Sequence, residues 1–176
     1  MRVLLLAPPM TQLNTPYPAT AYLMGFLKLH AERLGLSLAQ ADPALELFLR
    51  LMSGPEVARM ADTLRARAAC IKRARDSMPT SIAHFLDHAD RYIATVDAAV
   101  RFLQGRDPSL SVRIAGRAFL PEGPRFAALS PTGEPAEETL TWAFGALGTT
   151  DRARALASLF IDDLADVVRE GLDPRF

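Results

Sequence analysis

Two rhythms of apolar residues run along this chain: one short unbroken run at the start, then a succession of helical stripes. Val3 to Ala7 is apolar throughout with a β-branched start, and Pro8-Pro9 ends it by removing two backbone donors, which predicts a buried strand. Ala19, Tyr22, Leu23 and Phe26 then recur at the spacing of one apolar face of an amphipathic helix. Gly35 is placed to stop that helix, and Leu36 to Ala41 can form a second strand, so the chain opens as β-α-β.

From Asp42 onward the pattern is helical almost throughout. Asp42 followed by Pro43 predicts an N-cap and a first helical residue, with a helix to about Met52 that ends at Ser53-Gly54-Pro55. Val57, Met60, Ala61, Leu64, Ala68 and Ile71 keep helical spacing in the next segment, whose polar side carries Arg59, Arg65, Arg67, Lys72, Arg73 and Arg75. The cleanest helix runs from about Pro79 to Gln104, with Ile82, Phe85, Leu86, Ala89, Ile93, Val96, Val100 and Leu103 as its stripe and Gly105 as its stop. Asp107-Pro108 repeats the cap-then-proline start for a short helix to about Arg117, and Phe119 to Phe126 reads as a bend with two aromatic anchors. A turn-rich loop from Ser130 to Pro135 precedes a helix from Ala136 to Ala146 that contains Trp142 and Phe144. Gly148-Thr-Thr-Asp151 caps the last helix, whose buried face is Ala153, Leu156, Ala157, Phe160, Leu164, Val167 and Val168, ending near Gly171. The fold class expected is mainly α with a short N-terminal βαβ unit: a partial Rossmann-like α/β opening over residues 1–41, then a helical bundle over 42–176. Two parallel strands make no stable sheet alone, so either the helices bury this small sheet or strands are missing from the chain.

The length of 176 residues suits one domain or little more, and 49% hydrophobic with 23% charged residues is ordinary for a globular protein. Twenty Lys and Arg balance twenty Asp and Glu, so no net field draws the chain to nucleic acid or to an anionic membrane. The basic run Arg65 to Arg75 lacks the interleaved aromatics of a single-strand nucleic-acid groove. No apolar run is long enough for a signal peptide or a membrane span, which makes a cytoplasmic location the expectation. Cys70 is the single cysteine, and one thiol makes no intramolecular disulfide, Cys-rich zinc site or iron–sulfur cluster.

The candidate binding site is the loop between the first strand and the first helix, with Thr11, Gln12, Asn14, Thr15 and Tyr17 and with φ angles partly fixed by Pro16 and Pro18. Ligands in open α/β sheets sit at the carboxyl ends of strands, where loop donors and helix N-termini converge. Two readings stand: a structural bend whose side-chain oxygens cap the helix, or a face of Thr11, Gln12, Asn14 and Thr15 turned to a ligand. No Gly-rich phosphate loop accompanies it, since Gly25 lies inside the helix. Elsewhere, His84-Phe-Leu-Asp-His88 places two imidazoles at i and i+4 with a carboxylate between them, similar to the zinc-binding HxxEH pattern. That pattern needs a third ligand and a general base, and a solvated polar face would look the same. Asp162, Asp163, Asp166 and Glu170 form an acidic side of the last helix, expected to be solvated and to meet Arg152, Arg154 or Arg169.

The opening Leu6-Ala-Pro-Pro-Met-Thr-Gln-Leu-Asn-Thr-Pro-Tyr-Pro-Ala-Thr-Ala-Tyr-Leu-Met-Gly-Phe-Leu27 resembles the start of B12-binding-domain radical S-adenosylmethionine proteins. The resemblance continues in Gln40-Ala-Asp-Pro-Ala-Leu-Glu46, Phe102-Leu-Gln-Gly-Arg-Asp-Pro108, Arg117-Ala-Phe-Leu-Pro-Glu122 and Trp142-Ala-Phe-Gly-Ala-Leu-Gly-Thr-Thr-Asp151. It implies an N-terminal region that precedes the rest of a Rossmann-like cobalamin domain and a radical-SAM barrel, the barrel being absent from this chain. The implied cofactors of the full-length parent are cobalamin, S-adenosylmethionine and a 4Fe-4S cluster. Thr11, Gln12, Asn14, Thr15 and Tyr17 would then face cobalamin or a neighbouring domain. Cys70 cannot supply the three thiolates of a CxxxCxxC loop, and Leu86-Asp-His-Ala-Asp90 does not match the DxHxxG signature of cobalt ligation. The expectation is therefore a module or fragment that is not catalytic alone and whose partners are the parent's remaining domains or another protein. Its rivals are a self-contained helical adaptor that binds a protein partner, and a small zinc hydrolase built on His84 and His88.

Overall fold

The structure, a computed structural model, describes residues 1–7, 18–70, 78–129 and 148–172. The loop with Thr11, Gln12, Asn14, Thr15 and Tyr17, the turn-rich loop 130–135 and the expected helix 136–146 lie outside the described residues. The chain is mainly helical with a two-stranded parallel sheet at its start, and it divides into two compact units, Met1–Leu51 and Met52–Phe176.

The first unit is β1 (Arg2–Leu6), α1 (Pro18–Leu34), β2 (Ser37–Ala41) and α2 (Pro43–Leu51). Its strands pair in parallel with Arg2 beside Ser37 and Leu6 beside Ala41, and the Ala7 N–H extends the ladder to the Ala41 carbonyl at 3.0 Å. The helix between them stops as the sequence expects: Gly35 takes a φ of +56°, its N–H donates to Glu32 O, and the Leu36 N–H reaches back to Ala31 O. That pair of bonds satisfies the last carbonyls of α1 and needs a residue without a Cβ at the left-handed position. Asp42 caps α2, accepting the Leu45 N–H at 3.0 Å on Oδ1.

One expectation fails here. The stripe Ala19, Tyr22, Leu23, Phe26 was to be the buried face of α1, but Tyr22, Leu23 and Phe26 are exposed, Tyr22 to 81%. The positions turned to the sheet are Thr20, Met24, Leu27 and Ala31. Apolar residues surround most of the helix, so spacing alone picks out a stripe without saying which stripe meets the sheet. Register decides it: Gln40 Nε2 donates to Thr20 Oγ1 at 2.9 Å, fixing which side of the strands α1 covers.

The second unit is built on α4 (Thr80–Leu103), flanked by α3 (Gly54–Cys70) and by α6 (Thr149–Gly171), with the short α5 (Ser111–Ala115) against α6. Ile82, Ala89 and Val96, and in parallel Phe85, Tyr92 and Ala99, are buried at intervals of seven residues, which is a coiled-coil-like seam. Tyr92 belongs to it, stacked on Phe160 of α6 with ring centroids 5.2 Å apart. From α6 come Ala153, Leu156, Ala157, Phe160, Leu164 and Val167, buried as the spacing predicts, whereas Val168 of the same expected face is half-buried; from α3 come Val57, Ala61 and Leu64. Gly105 ends α4 with a φ of +73° and the same two backward bonds seen at Gly35.

Two helix starts expected to be capped locally are built otherwise. Asp107 accepts the Ser109 hydroxyl at 2.6 Å in place of a backbone N–H, and Gly148 precedes α6 with no side-chain cap. At two other segments, carboxylates from distant helices accept the leading N–H groups. Asp97 of α4 accepts the Gly54 N–H at the start of α3 at 3.0 Å. Asp163, 2% exposed, accepts the N–H groups of Gly123 at 3.0 Å and Arg125 at 2.9 Å, at the head of the 3-10 turns Pro124–Leu129. The acidic side of α6 is thus only partly solvated: Asp163 is buried, Asp166 holds Arg125 through two bonds and Arg169 through one, and Glu170 meets Ser81.

At Gly123 a Cβ would overlap the Asp163 carboxylate and lie 2.7 Å from Tyr92 Oη. Gly123→Ala is expected to lower the unfolding free energy by about 1–3 kcal/mol through overpacking. Asp163→Ala orphans two backbone donors, each at a cost of about 1–3 kcal/mol. Urea titrations measure both, and an Asp163→Ala protein as stable as the parent would show that this carboxylate does not hold the segment.

Candidate functional site

The described part of the candidate site is the carboxyl end of the small sheet. Ala7 leaves β1 and Pro18 opens α1, so residues 8–17 connect a strand's carboxyl end to a helix N-terminus, the place where α/β sheets bind ligands. Its described rim is Ala7, Thr20, Gln40, Ala41 and Asp42. Two polar members of that rim are bonded to each other, the buried Thr20 and Gln40, while Asp42 accepts the Leu45 N–H of α2. Sequence reasoning passed over the Thr20–Gln40 pair. Its signal was a glutamine in the middle of a short strand, a residue that needs a partner if the strand is covered.

Around this end the unit is apolar beyond what it covers. The register places Val3, Leu5, Leu38 and Gln40 toward α1, and Leu4, Leu6 and Ala39 on the other side of the sheet. Leu4 and Leu6 are exposed to 57% and 54%. On α1, Tyr22 and Leu29 point away from the sheet, and Leu29 is exposed to 80%. The free edge of β1 has no Pro, Lys or bulge to discourage a further strand.

In the second unit the structure brings His84 and His88 together. Their rings stack with centroids 4.3 Å apart and planes 21° from parallel, and His88 Nδ1 lies 3.0 Å from the His84 carbonyl. His84 also meets the Tyr92 ring edge-on. Its Nε2 is buried with no hydrogen-bond partner. Burial holds the His84 imidazole below the usual histidine range, reinforced by His88 and opposed by Asp87. Asp87 is exposed, and among the described residues no group of three or more His, Cys, Asp or Glu could hold a metal ion. Burial likewise pushes the Asp163 carboxyl up against the pull of its two backbone N–H bonds, and pushes the Tyr92 hydroxyl up beside it. The basic side of α3 finds partners within its unit: Arg59 meets Glu56, Arg65 meets Asp62 and Asp90, and Arg67 donates to the Gly171 carbonyl.

No protein family, curated protein or solved structure matches the chain. No described helix is long and apolar enough to cross a membrane.

The direction at His84 sets a pH dependence. An imidazole whose folded pKa lies below its unfolded value, about 6.5, binds protons more readily unfolded, so its contribution is complete above that value and lost as pH falls through it. Asp163 has the opposite sign and acts above the ordinary carboxylate range, where its raised pKa favours the folded state as pH falls. The His84 contribution to the melting temperature should therefore fall as pH drops below about 6.5, and it is read as the difference between the parent and a His84→Gln protein. His84→Gln should flatten that slope, and an unchanged slope would place the titrating group elsewhere.

Proposed function

We propose that this chain is the N-terminal module of a cytoplasmic, cobalamin-type radical-SAM protein, without catalysis of its own, and that its βαβ unit is completed by the parent's remaining domains. The observation that carries this reading is β1: a strand apolar on both faces, with one face covered inside its unit and the other turned outward with Leu4 and Leu6. All-parallel sheets are covered on both faces, so such a strand belongs in the interior of a larger sheet. The resemblance of residues 6–27 to the family supports the same assignment. In it the loop with Thr11, Gln12, Asn14, Thr15 and Tyr17 faces the cobalamin or the domain beside it.

The radical chemistry of such a parent needs a cluster held by three thiolates, and Cys70 alone cannot provide them. The chain's contribution is to bind and to shape. A self-contained helical adaptor is the second reading, and the closed core around α4 favours it: the second unit buries its own seam.

Two measurements separate them. The incomplete sheet should make the purified chain bind a hydrophobic dye and sediment as concentration-dependent oligomers, because apolar patches on soluble monomers rarely exceed about 600 Å². A dye-silent monomer that melts cooperatively would favour the adaptor. The reading frame past Phe176 should encode a CxxxCxxC loop, and a stop codon at that point would end the parent-enzyme reading. Anaerobic reconstitution of the chain alone should give no stable four-iron absorbance and no 5′-deoxyadenosine.

A further inference from the structure

We infer that the free edge of β1 pairs antiparallel with β1 of a second copy of this chain, about a two-fold axis at Leu4, so that the two small sheets run on into one of order β2-β1-β1-β2. The hydrogen-bond register is the first ground. The Ser37 N–H donates to the Met1 carbonyl and the Ala7 N–H to the Ala41 carbonyl, so the odd-numbered residues of β1 turn their backbone groups to β2. Alternation along a strand then leaves the N–H and C=O groups of Arg2, Leu4 and Leu6 on the free edge. An antiparallel pair with Leu4 facing Leu4 sets Arg2 against Leu6 on either side, and each facing pair exchanges both of its N–H···O=C bonds. Every backbone group that the two edges expose is thereby satisfied. A slip of one residue would set these groups against neighbours already bonded to β2.

The helix is the second ground. At about 100° per residue, and with Thr20, Met24, Leu27 and Ala31 toward the sheet, Leu23, Phe26 and His30 fall on one flank of α1 and Lys28 and Glu32 on the other. In the right-handed crossover of a βαβ unit, the flank with Leu23 and Phe26 lies on the β1 side and the charged flank on the β2 side. Water suits the charged flank, whereas Leu23 and Phe26, 51% and 60% exposed, call for cover beyond the edge of β1. Because α1 packs on both strands, it lies about one strand spacing, roughly 4.8 Å, from the two-fold axis. The two copies of α1 then run antiparallel about 10 Å apart, at helix-packing distance. Phe26 is the middle residue of α1, as Leu4 is of β1, so the two Phe26 side chains approach each other across the axis. Edges and flanks together bury on the order of 1,000 Å², the lower limit for a specific interface, so the dimer dissociates on dilution. The outer face with Leu4 and Leu6 stays open in it, and the inference does not rest on the parent-enzyme reading.

Sedimentation equilibrium of the full chain should show a monomer–dimer equilibrium that ends at twice 19.2 kDa. Register is tested by cysteines in a Cys70→Ser background with oxidised glutathione. Leu4→Cys should form an intermolecular disulfide, since facing residues of a hydrogen-bonded antiparallel pair have Cα atoms about 5.5 Å apart. Leu6→Cys, on the same face and similarly exposed, should cross-link at least about tenfold more slowly, because the two copies of residue 6 are offset by roughly 14 Å. Phe26→Glu sets like charges across the axis and should weaken association about tenfold or more, while Lys28→Glu on the opposite flank leaves it unchanged. Leu4 and Phe26 are both exposed, so these changes spare the fold. A species of 19.2 kDa alone at millimolar concentration would assign the edge to a different chain and overturn the proposal. Growth past the dimer, equal cross-linking at the two cysteines, or a folded Phe26→Glu protein that associates as the parent does would overturn it too. A stop codon after Phe176, which ends the parent-enzyme reading, leaves the dimer untouched.

Discussion

A parallel strand has two faces to bury, and of the two helices in the first unit α1 is the one packed on both strands. Most of what is distinctive in residues 1–51 follows from that mismatch. Val3 and Leu5 lie toward α1, while Leu4 and Leu6 stand on the opposite face and are 57% and 54% exposed. The helix carries the same excess, with one side on the sheet and a second apolar stripe through Tyr22, Phe26 and Leu29. A helix apolar around most of its circumference is an interior element. Strand and helix alike therefore leave large apolar side chains exposed: Leu4 and Leu6 on β1, Tyr22, Phe26 and Leu29 on α1.

The second unit obeys a different economy. Its seven-residue seam on α4 finds cover in α3 and α6, and the long-range bonds that close it come from carboxylates placed over exposed backbone donors. Asp97 and Asp163 do from 43 and about 40 residues away what a local N-cap does from three. A local cap stabilises one helix end, whereas a carboxylate on another helix also fixes the distance between the two segments it joins. This explains how an acidic residue can be 2% exposed: each oxygen of Asp163 accepts a backbone N–H, which offsets the desolvation that pushes its pKa up.

The elements were legible in the sequence because each is marked by its own residues. Gly35 and Gly105 announce two helix ends through the left-handed turn that each makes, and Asp42-Pro43 announces a helix start. Orientation was harder to read. The stripe on α1 was misassigned because Tyr22, Leu23 and Phe26 are as apolar as Met24, Leu27 and Ala31, and only the partner strand's Gln40 distinguishes the two sides. The stripe on α4 omits Tyr92, Thr95, Ala99 and Phe102, which are buried, and includes Leu86, Ile93, Val100 and Leu103, which are half-buried. The polar atoms of Tyr92 and Thr95 disguise their burial, and apolar residues on adjoining sides of the helix leave the face ambiguous by one position. Asp163 looked like one member of a solvated acidic run, since nothing local reveals that the backbone of Gly123 and Arg125 comes to meet it. Periodicity reports what a residue prefers, while burial of a polar side chain depends on a partner some forty residues away. Of the candidate site, the position at a strand's carboxyl end could be read from strand, loop and helix order; Thr11, Gln12, Asn14, Thr15 and Tyr17 lie outside the described residues.

The described rim narrows what that site can be. Thr20 and Gln40, the polar side chains nearest the end of the sheet, already satisfy each other, and Asp42 is engaged with the Leu45 N–H. The remaining hydroxyl and amide groups on this connection are those of Thr11, Gln12, Asn14, Thr15 and Tyr17. In the reading proposed above, recognition at the carboxyl end of β1 would rest on those residues and on the surface that meets Leu4 and Leu6, which are 57% and 54% exposed.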